Sequence, residues 1–228
     1  MLSLKEFFKK IKIYRLLRWI YWKNFELLER IFGTNFTRII WKHAKTEGYL
    51  ASINHSHRRM LLEIIKKYNP QSVLEIGCSG GTNLYLIGKE LPACKIFGTD
   101  INQRAVEVGK KLFGKQKMES NLLVADIEKQ PFPDKNFDIV LTDAVLIYVG
   151  PDRIKRVVDE MKRLAKKAII MVERHNDGDS ASGKWYENIC RRNYKKLFMG
   201  HKTIFTKIPS EIWGGDWGRD GCIIEVIL

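Results

Sequence analysis

The sequence predicts an α/β protein whose sheet is mostly parallel and doubly wound, with a helical extension at its amino end. From about residue 50, short apolar runs alternate with charged amphipathic stretches, which is typical of parallel strands buried between helices. A run of small residues, 77–81, follows the first of these strands directly. A length of 228 residues fits one domain plus an appendage. We therefore expect an extension over residues 1–49 and one α/β domain over residues 50–228.

Composition and charge pattern exclude several classes of protein. With 45% hydrophobic and 29% charged residues and a mean hydropathy of -0.25, the chain has the composition of a soluble globular protein rather than of a disordered or collagen-like one. Arg15, Arg18 and Lys23 interrupt the apolar opening, so we expect neither a membrane span nor a secretion signal. The four cysteines are widely spaced, which favours reduced thiols in the cytoplasm and no metal site.

The amino-terminal extension is strongly basic. The whole chain carries a net charge of +14, and its first 45 residues hold eleven bases and three acids. Residues 1–22 predict an amphipathic basic helix that packs on its own domain, lies on an anionic membrane at the inner face, or contacts nucleic acid. Further helices are expected over 22–32 and from Thr37 toward Lys45. Apolar residues recur at helical intervals in the first helix: Leu4, Phe7, Phe8, Ile11, Tyr14, Leu17 and Tyr21.

The α/β domain is predicted to begin with a helix over 56–68, which ends before Pro70, and a strand over 72–76. A second helix begins at Thr82 and ends before Pro92. Apolar runs and amphipathic stretches then alternate as strands at 95–98, 122–124, 137–141 and 168–172, with helices at 104–113 and 153–164.

The carboxyl-terminal part follows a polar loop over 174–183. An amphipathic stretch around 185–198 predicts a helix. Two β-rich runs, 202–208 and 222–228, predict an antiparallel hairpin with a loop rich in Trp and Gly at its tip.

The strongest chemical signal lies where the first strand ends. The strand over 72–76 contains Glu75 near its end and leads into the small residues 77–81, whose backbone N–H groups a ligand can approach closely. Dinucleotide-binding proteins place a pyrophosphate at such a turn, but Glu75 would repel a phosphate and attract a cation. The motif therefore predicts a site for a positively charged nucleoside.

These residues resemble the first motif of the class I S-adenosylmethionine-dependent methyltransferases, with Ser79 at the place of the usual middle glycine. The resemblance covers about residues 70–228 and implies a Rossmann-like fold, S-adenosylmethionine as cofactor and S-adenosylhomocysteine as product. It implies that Asp100 accepts the ribose hydroxyl hydrogens, and that Asp126 and the Ile127 backbone contact the adenine. The cofactor-binding residues are then expected to be Glu75, Gly77, Ser79, Gly81, Asp100, Ile101, Asp126, Ile127 and Thr142.

Transfer of a methyl group to a hydroxyl requires a general base near the donor. The candidates are titratable residues at the carboxyl ends of the fourth and fifth strands, Asp143, Tyr148, Glu173 and His175. Histidine has the most suitable intrinsic pKa, so His175 and Asp143 are the expected catalytic residues.

Substrate contacts are expected from two regions outside the core motifs. His55 and His57 precede the domain, where similar methyltransferases carry elements that cover the substrate, although helix capping and packing remain alternatives. Their i, i+2 spacing argues against a metal pair on one helix. The expected substrate contacts are His55, His57, Tyr148, Trp213, Trp217 and Arg219.

The predicted function is methyl transfer to the oxygen of a small-molecule, glycan or lipid-linked acceptor. The segment Thr142-Asp143-Ala144-Val145 lacks the Asn/Asp-Pro-Pro-aromatic motif of methyltransferases that act on base amines. One alternative is an RNA or protein methyltransferase, which the net positive charge of the chain favours. The other is a protein that binds the cofactor without catalysis.

Overall fold

A computed structural model describes residues 35–44, 52–186 and 189–228 of the chain. The helices predicted over 1–22 and 22–32 lie outside these ranges, and the boundary near residue 49 stays a prediction. Within the described ranges, no helix has the length and apolar character needed to cross a bilayer.

The domain alternates strands and helices along most of its length. The helices are α1 (Asn35–His43), α2 (Ser56–Lys66), α3 (Thr82–Glu90), α4 (Gln103–Lys115), α5 (Ile154–Leu164), α6 (Tyr194–Leu197) and α7 (Gly215–Asp220). The strands are β1 (Ser72–Ile76), β2 (Lys95–Asp100), β3 (Asn121–Val124), β4 (Phe137–Asp143), β5 (Ala165–Arg174), β6 (Lys184–Tyr186), β7 (Ile189–Arg191), β8 (Lys202–Lys207) and β9 (Gly221–Ile227).

Seven strands form one sheet in the order β3-β2-β1-β4-β5-β9-β8. The first five are parallel, and β9 runs antiparallel to both β5 and β8. Glu75 of β1 lies opposite Gly98 of β2 and Leu141 of β4, so these strands end near one another. The arrangement confirms the predicted Rossmann-like, mostly parallel sheet and its carboxyl-terminal antiparallel pair.

The sheet is buried on both faces, as the near-continuous apolar strands require. Successive β1 residues alternate between the two layers: Val73 packs with α2, α3 and α4, whereas Leu74 packs with α5. Every residue of β4 from Phe137 to Thr142 is buried. The two helical layers hold the strand ends rigidly, and these ends carry the site.

The prediction of a helix over 185–198 is wrong for most of that range. Strands β6 and β7 form a separate antiparallel pair, and α6 begins only at Tyr194. The reason is tertiary. The side chain of Arg192 is fully buried and donates to the backbone oxygens of Leu146 and Val149, which fixes the chain before α6. Asn193 then caps the short helix by accepting from the Lys196 N–H.

The loop between β8 and β9 also differs from the predicted hairpin tip, because it contains the short helix α7. Trp213, just before α7, stacks on Trp217 within it, with ring centroids 4.2 Å apart and planes at 14°. Both rings pack against the core layer that contains α2. Because both indoles are partly buried against the core, the segment is packed on the domain. Its glycines had predicted an open hairpin tip.

Candidate active site

A cavity of about 580 Å³ opens at the carboxyl ends of β1, β2 and β4, where parallel α/β sheets commonly bind ligands. Three elements form its walls: the strand ends with the loops that follow them, the start of α2 with the residues before it, and α1. Its polar and aromatic lining residues include Arg38, Trp41, His55, His57, Arg58, Glu75, Ser79, Asn83, Asp100, Asn102, Asp126, Asp143, Tyr148, Arg153 and Trp213.

The turn after β1 needs glycine at its first position. Gly77 has a φ of +73°, and a Cβ atom built there would lie 2.5 Å from Val145 Cγ2. Ser79 also has a positive φ, of 49°, and its backbone N–H donates to Asp100 Oδ2 at 2.8 Å. The carboxylate at the end of β2 therefore holds the turn in the shape that faces the cavity.

Asp100 also connects the cavity to the helical extension through Asn102. The Asn102 N–H donates to Asp100 Oδ1 at 2.8 Å, and the Asn102 side-chain amide donates to the Trp41 and Ala44 oxygens at 3.0 and 2.9 Å. These oxygens lie at the end of α1, whose last carbonyls have no partner within the helix. The described part of the extension thus forms one wall of the cavity.

The third carboxylate, Asp126, lies on the same side of the cavity as α1. Arg38 of α1 places its Nη2 atom 2.5 Å from Asp126 Oδ2, and Arg153 lies 3.9 Å from Asp126 Oδ1. Asp126 and its neighbour Ile127 both line the cavity, at the positions that the sequence predicted for adenine contacts. Those contacts remain a prediction.

Glu75 is an unusual carboxylate because it is only 2% exposed. Its Oε1 accepts from Asn83 Nδ2 at 2.6 Å, while Oε2 is buried without a hydrogen-bond partner among the residues that the structure describes. The pKa of Glu75 is raised to about 8, mainly by burial; the Asn83 hydrogen bond opposes this rise and the nearby Asp143 contributes to it. A buried acceptor with a free oxygen beside a cavity is suited to a cationic ligand.

This geometry predicts that ligand binding is coupled to the ionisation of Glu75. A cation near Oε2 favours the charged carboxylate, so binding below about pH 8 should release a proton, and affinity should rise as pH increases from 7 to 8. Calorimetric titration with S-adenosylmethionine in buffers of different ionisation enthalpy measures the released protons. The control is Glu75→Gln, in which this release should vanish. Equal proton release by both proteins would contradict the assignment.

A buried hydrogen-bond network lies beside Glu75. Asp143 Oδ2 accepts from His57 Nε2, Arg58 Nη1 and Asn83 Nδ2, each at 3.0 Å. His57 Nδ1 lies 2.6 Å from His55 Nδ1 at the cavity wall. Burial alone would raise the pKa of Asp143, but the hydrogen bond from His57 and the charge of Arg58 lower it overall. Asp143 is therefore an ionised anchor of the network, and its low pKa makes it a poor general base.

Aromatic side chains form much of the remaining wall. His57 stacks on Trp213 with centroids 4.4 Å apart, and Trp213 stacks in turn on Trp217. On the α1 side, the rings of Trp41 and Tyr148 lie 4.6 Å apart. Trp213, itself a lining residue, thus supports the His57 ring, and Trp217 of α7 supports Trp213 in turn.

Several residues expected from the sequence do not line the cavity. Trp217 supports Trp213 from behind, and Arg219 is paired with Asp216 and Asp220. Thr142 is fully buried in the sheet, and Gly81 lies at the start of α3, beneath the turn.

His175, the histidine preferred as base, lies outside the lining. Its Nδ1 accepts from the Tyr194 N–H at 3.1 Å, and its Nε2 is 3.1 Å from Asp177 Oδ1. Both ring nitrogens are thereby engaged, so the structure does not support His175 as the base.

Glu173, the other candidate on β5, is fully buried. Its carboxylate accepts the backbone N–H groups of Val145, Leu146 and Ile147 at 3.0, 2.8 and 3.2 Å. Burial raises the pKa of Glu173 to about 7, against the lowering effect of these hydrogen bonds. Glu173 holds the turn after β4 and does not reach the cavity.

Sequence reasoning missed Arg58 and Asn83. On α2, the apolar stripe of Leu61, Leu62 and Ile65 continues one turn earlier as His57 and Arg58. Two polar residues on the buried stripe of a helix predict partners elsewhere in the fold, because a buried charge must be paired. This pattern could have identified Arg58 from the sequence. Asn83 follows the glycine-rich turn directly, and nothing local indicates that its amide joins two carboxylates.

The residues present fit S-adenosylmethionine better than a metal. Among the residues that the structure describes, no group of His, Cys, Asp or Glu side chains is arranged to hold a metal ion. The glycine turn leaves room for a nucleoside, Asp100 faces the cavity, and the unpartnered Glu75 oxygen suits the cationic part of the cofactor.

Comparison with known proteins gives a consistent result. Residues 73–168 match the methyltransferase domain family. The chain is 28% identical over 133 residues to the demethylmenaquinone methyltransferase of Thermotoga maritima, covering 58% of this chain and 56% of that protein. It is 29% identical over 111 residues to a tRNA N(3)-methylcytidine methyltransferase of Drosophila melanogaster, covering 46% and 34%. The chain thus spans about a third to just over half the length of these relatives.

The fold has a counterpart in phosphoethanolamine N-methyltransferase 1 of Haemonchus contortus, a structure in complex with phosphoethanolamine and S-adenosylhomocysteine. The TM-score is 0.60 at 13% identity, covering 85% of this chain and 47% of that one. Fold and cavity together define a Rossmann-like protein with a cavity at its strand ends. Residues 73–168 are a methyltransferase domain by the family match, and the match and the fold together support the class I S-adenosylmethionine-dependent type.

Proposed function

We propose that this protein transfers the methyl group of S-adenosylmethionine to an oxygen atom of a small-molecule, glycan or lipid-linked acceptor. The observation that carries the proposal is the convergence of three carboxylates from three successive strand ends, Glu75, Asp100 and Asp126, on one cavity with a histidine at its wall. The relatives named above act on different acceptors, so the acceptor class is argued from the cavity itself.

Bound S-adenosylmethionine supplies a methyl group on a positively charged sulfur, already activated for displacement. The chain's own residues orient the two reactants, which is the main source of rate in such a transfer. Asp100 accepts hydrogen bonds from the ribose, Asp126 contacts the adenine, and Glu75 neutralises the cationic end. A hydroxyl acceptor also needs a base, and His55 and Tyr148 are titratable groups at the cavity wall.

The charges of the cavity favour an uncharged acceptor over a polyanion. The three guanidinium groups of its described lining are already paired: Arg38 and Arg153 with carboxylates around Asp126, and Arg58 with Asp143. No surplus positive charge is therefore left among these lining residues to hold phosphates, as nucleic-acid binding requires. The rings of Trp41, Tyr148 and Trp213 offer apolar faces instead.

An RNA or protein methyltransferase is the second candidate, because the first 45 residues hold eleven bases and three acids. Those residues, if they bind RNA, would give an affinity that falls steeply with salt. Association of residues 1–22 with an anionic membrane stays a prediction of the same charge pattern.

The first test is calorimetric titration with S-adenosylhomocysteine and, in parallel, NADH. We expect binding of S-adenosylhomocysteine alone, since a carboxyl group at the strand end, Glu75, suits a cationic group and not the pyrophosphate of NADH. Incubation with methyl-labelled S-adenosylmethionine and a cell extract should then place the label in the small-molecule or lipid fraction.

The other outcomes identify the alternatives. Label in the RNA or protein fraction would favour the second candidate. Tight binding without labelled product in any fraction would indicate a protein that holds the cofactor without catalysis. Binding of NADH alone would overturn the cofactor assignment.

A further inference from the structure

The strongest unassigned feature is the chain of hydrogen bonds that runs from Asp143 through His57 to His55. It joins the end of β4 to the start of α2, and its members His57 and Asp143 are 86 positions apart in sequence. His57 is 3% exposed, whereas His55 is partly exposed at the cavity wall. Asp143 and His57 are both buried, and they are hydrogen-bonded in series to the more exposed His55. Apolar side chains would fill this space at lower cost, because buried polar groups are costly unless they are paired. The chain of hydrogen bonds therefore indicates a role beyond packing.

For a neutral His57 ring, the order of the hydrogen bonds fixes which nitrogen carries each proton. The ionised Asp143 can only accept, so His57 Nε2 donates to it and carries a proton. In the neutral His57 ring, Nδ1 is then an acceptor. His55 Nδ1 must therefore donate across the 2.6 Å contact, which leaves His55 Nε2 without a proton.

We propose that His55 Nε2 is the general base of methyl transfer, held in its reactive tautomer by Asp143 through His57. The assignment rests on the proposed function. Nε2 makes no hydrogen bond to any described residue, so its lone pair is available to an acceptor hydroxyl in the cavity. Trp213 and Trp217 stack behind His57 and keep its ring in the plane that the relay needs.

The step balances without a further reactant. The acceptor oxygen forms its bond to the methyl carbon, the carbon–sulfur bond breaks with its electron pair on sulfur, and the hydroxyl proton passes to His55 Nε2. The positive charge then lies on the pair of imidazoles, next to the carboxylate of Asp143. The proton returns to solvent when product leaves.

The surroundings keep His55 neutral near pH 7. Burial lowers the pKa of His55, the positive charge of Arg58 lowers it further, and Asp143 opposes them. His57, Arg58 and Asp143 are the titratable or charged groups that face the ring from α2 and β4, and from the side of the β8–β9 loop it meets the uncharged Trp213. A neutral imidazole is suited to accept a proton in general-base catalysis.

The tautomer can be measured directly in the whole protein, without knowing the acceptor. The chain has five histidines, so nitrogen-15 NMR of labelled histidine resolves each ring, with His→Gln variants for assignment. We expect His55 with its proton on Nδ1, opposite to the form that dominates in free histidine, and His57 with its proton on Nε2. In His57→Gln, His55 should shift toward the ordinary mixture. A His55 ring protonated on Nε2 in the wild type would overturn the proposal.

Activity provides the second measurement. In His55→Gln, transfer of labelled methyl groups to the extract should fall by about 10²- to 10⁴-fold, with the affinity for S-adenosylhomocysteine unchanged within about twofold. The matched control is His201→Gln, in the turn before β8, which should match the wild type in both. Transfer that survives His55→Gln overturns the base assignment alone. Absence of transfer by the wild type overturns the proposed function, and the base assignment falls with it.

Discussion

Asp100→Ala should lower the affinity for S-adenosylhomocysteine by at least about 100-fold, since two charge-assisted hydrogen bonds to the ribose are each worth about 1.5–3 kcal/mol. The carboxylate has a second role, because it accepts the N–H groups of Ser79 and Asn102 that shape the turn and anchor α1. Burial raises the pKa of Asp100, and the hydrogen bonds from Asn102 and Ser79 oppose that rise. Calorimetric titration measures the loss.

Two further variants separate the ligand contacts from the fold. Asp100→Asn keeps one oxygen acceptor and should give an intermediate affinity. Asp159→Ala removes an exposed carboxylate paired with Lys155, and its affinity should equal that of the wild type. Circular dichroism should show that all three proteins are folded. An affinity for S-adenosylhomocysteine that Asp100→Ala leaves unchanged would refute the ribose assignment.

Asp143→Ala should lower the free energy of unfolding by about 3–5 kcal/mol, because it leaves the Arg58 guanidinium buried without its counter-ion. Arg58 is 8% exposed and also donates to Asn83 and to the Ser52 backbone, so it cannot easily turn to solvent. For a chain of this size, the melting temperature should fall by roughly 10 °C. Urea unfolding measures the free energy.

A double variant tests whether this loss comes from the unpaired charge. Arg58→Met with Asp143→Leu removes both charges, so it should cost well under the sum of the two single changes. The exposed Lys155–Asp159 pair is the comparison, and Asp159→Ala should cost only about 0.3–0.5 kcal/mol. A loss below about 1 kcal/mol for Asp143→Ala would show that the network does not anchor α2 to β4.

The two changes are expected to act on different properties. Asp100→Ala should act on ligand affinity, because Asp100 lies where the turn meets the cavity. Asp143 is a buried part of the cavity wall, where its three donors join β4, α2 and α3. Asp143→Ala should therefore affect stability first and the tautomer of His55 second.

The sequence alone determined the sheet and the cofactor edge. Each of Glu75, Asp100 and Asp126 lies at or just after the end of a short apolar strand, and parallel strands end at the same edge of a sheet. The glycine turn at 77–81 could also be read, because its requirement is local: backbone with a positive φ beside a close neighbour. The local sequence pattern was sufficient to predict those parts of the structure that depend on a single strand and the turn after it.

Local pattern failed where a distant contact decides the structure. The helix predicted over 185–198 is replaced by β6 and β7, because Arg192 is buried against the turn after β4. His175 has the intrinsic pKa of a base, yet its ring nitrogens are engaged by Tyr194 and Asp177. Propensity and spacing carry no information about such partners.

The identity of the fold and the three carboxylates at its strand ends follow from the sequence by itself, since each depends on neighbours within a few residues. The pairing of His55, His57 and Asp143, and the burial of Arg58 between Asp143 and Asn83, were decided only by the tertiary structure. Residues before the first strand and residues at the end of the fourth meet because the sheet packs them together, and that packing places the His55 imidazole at the cavity wall.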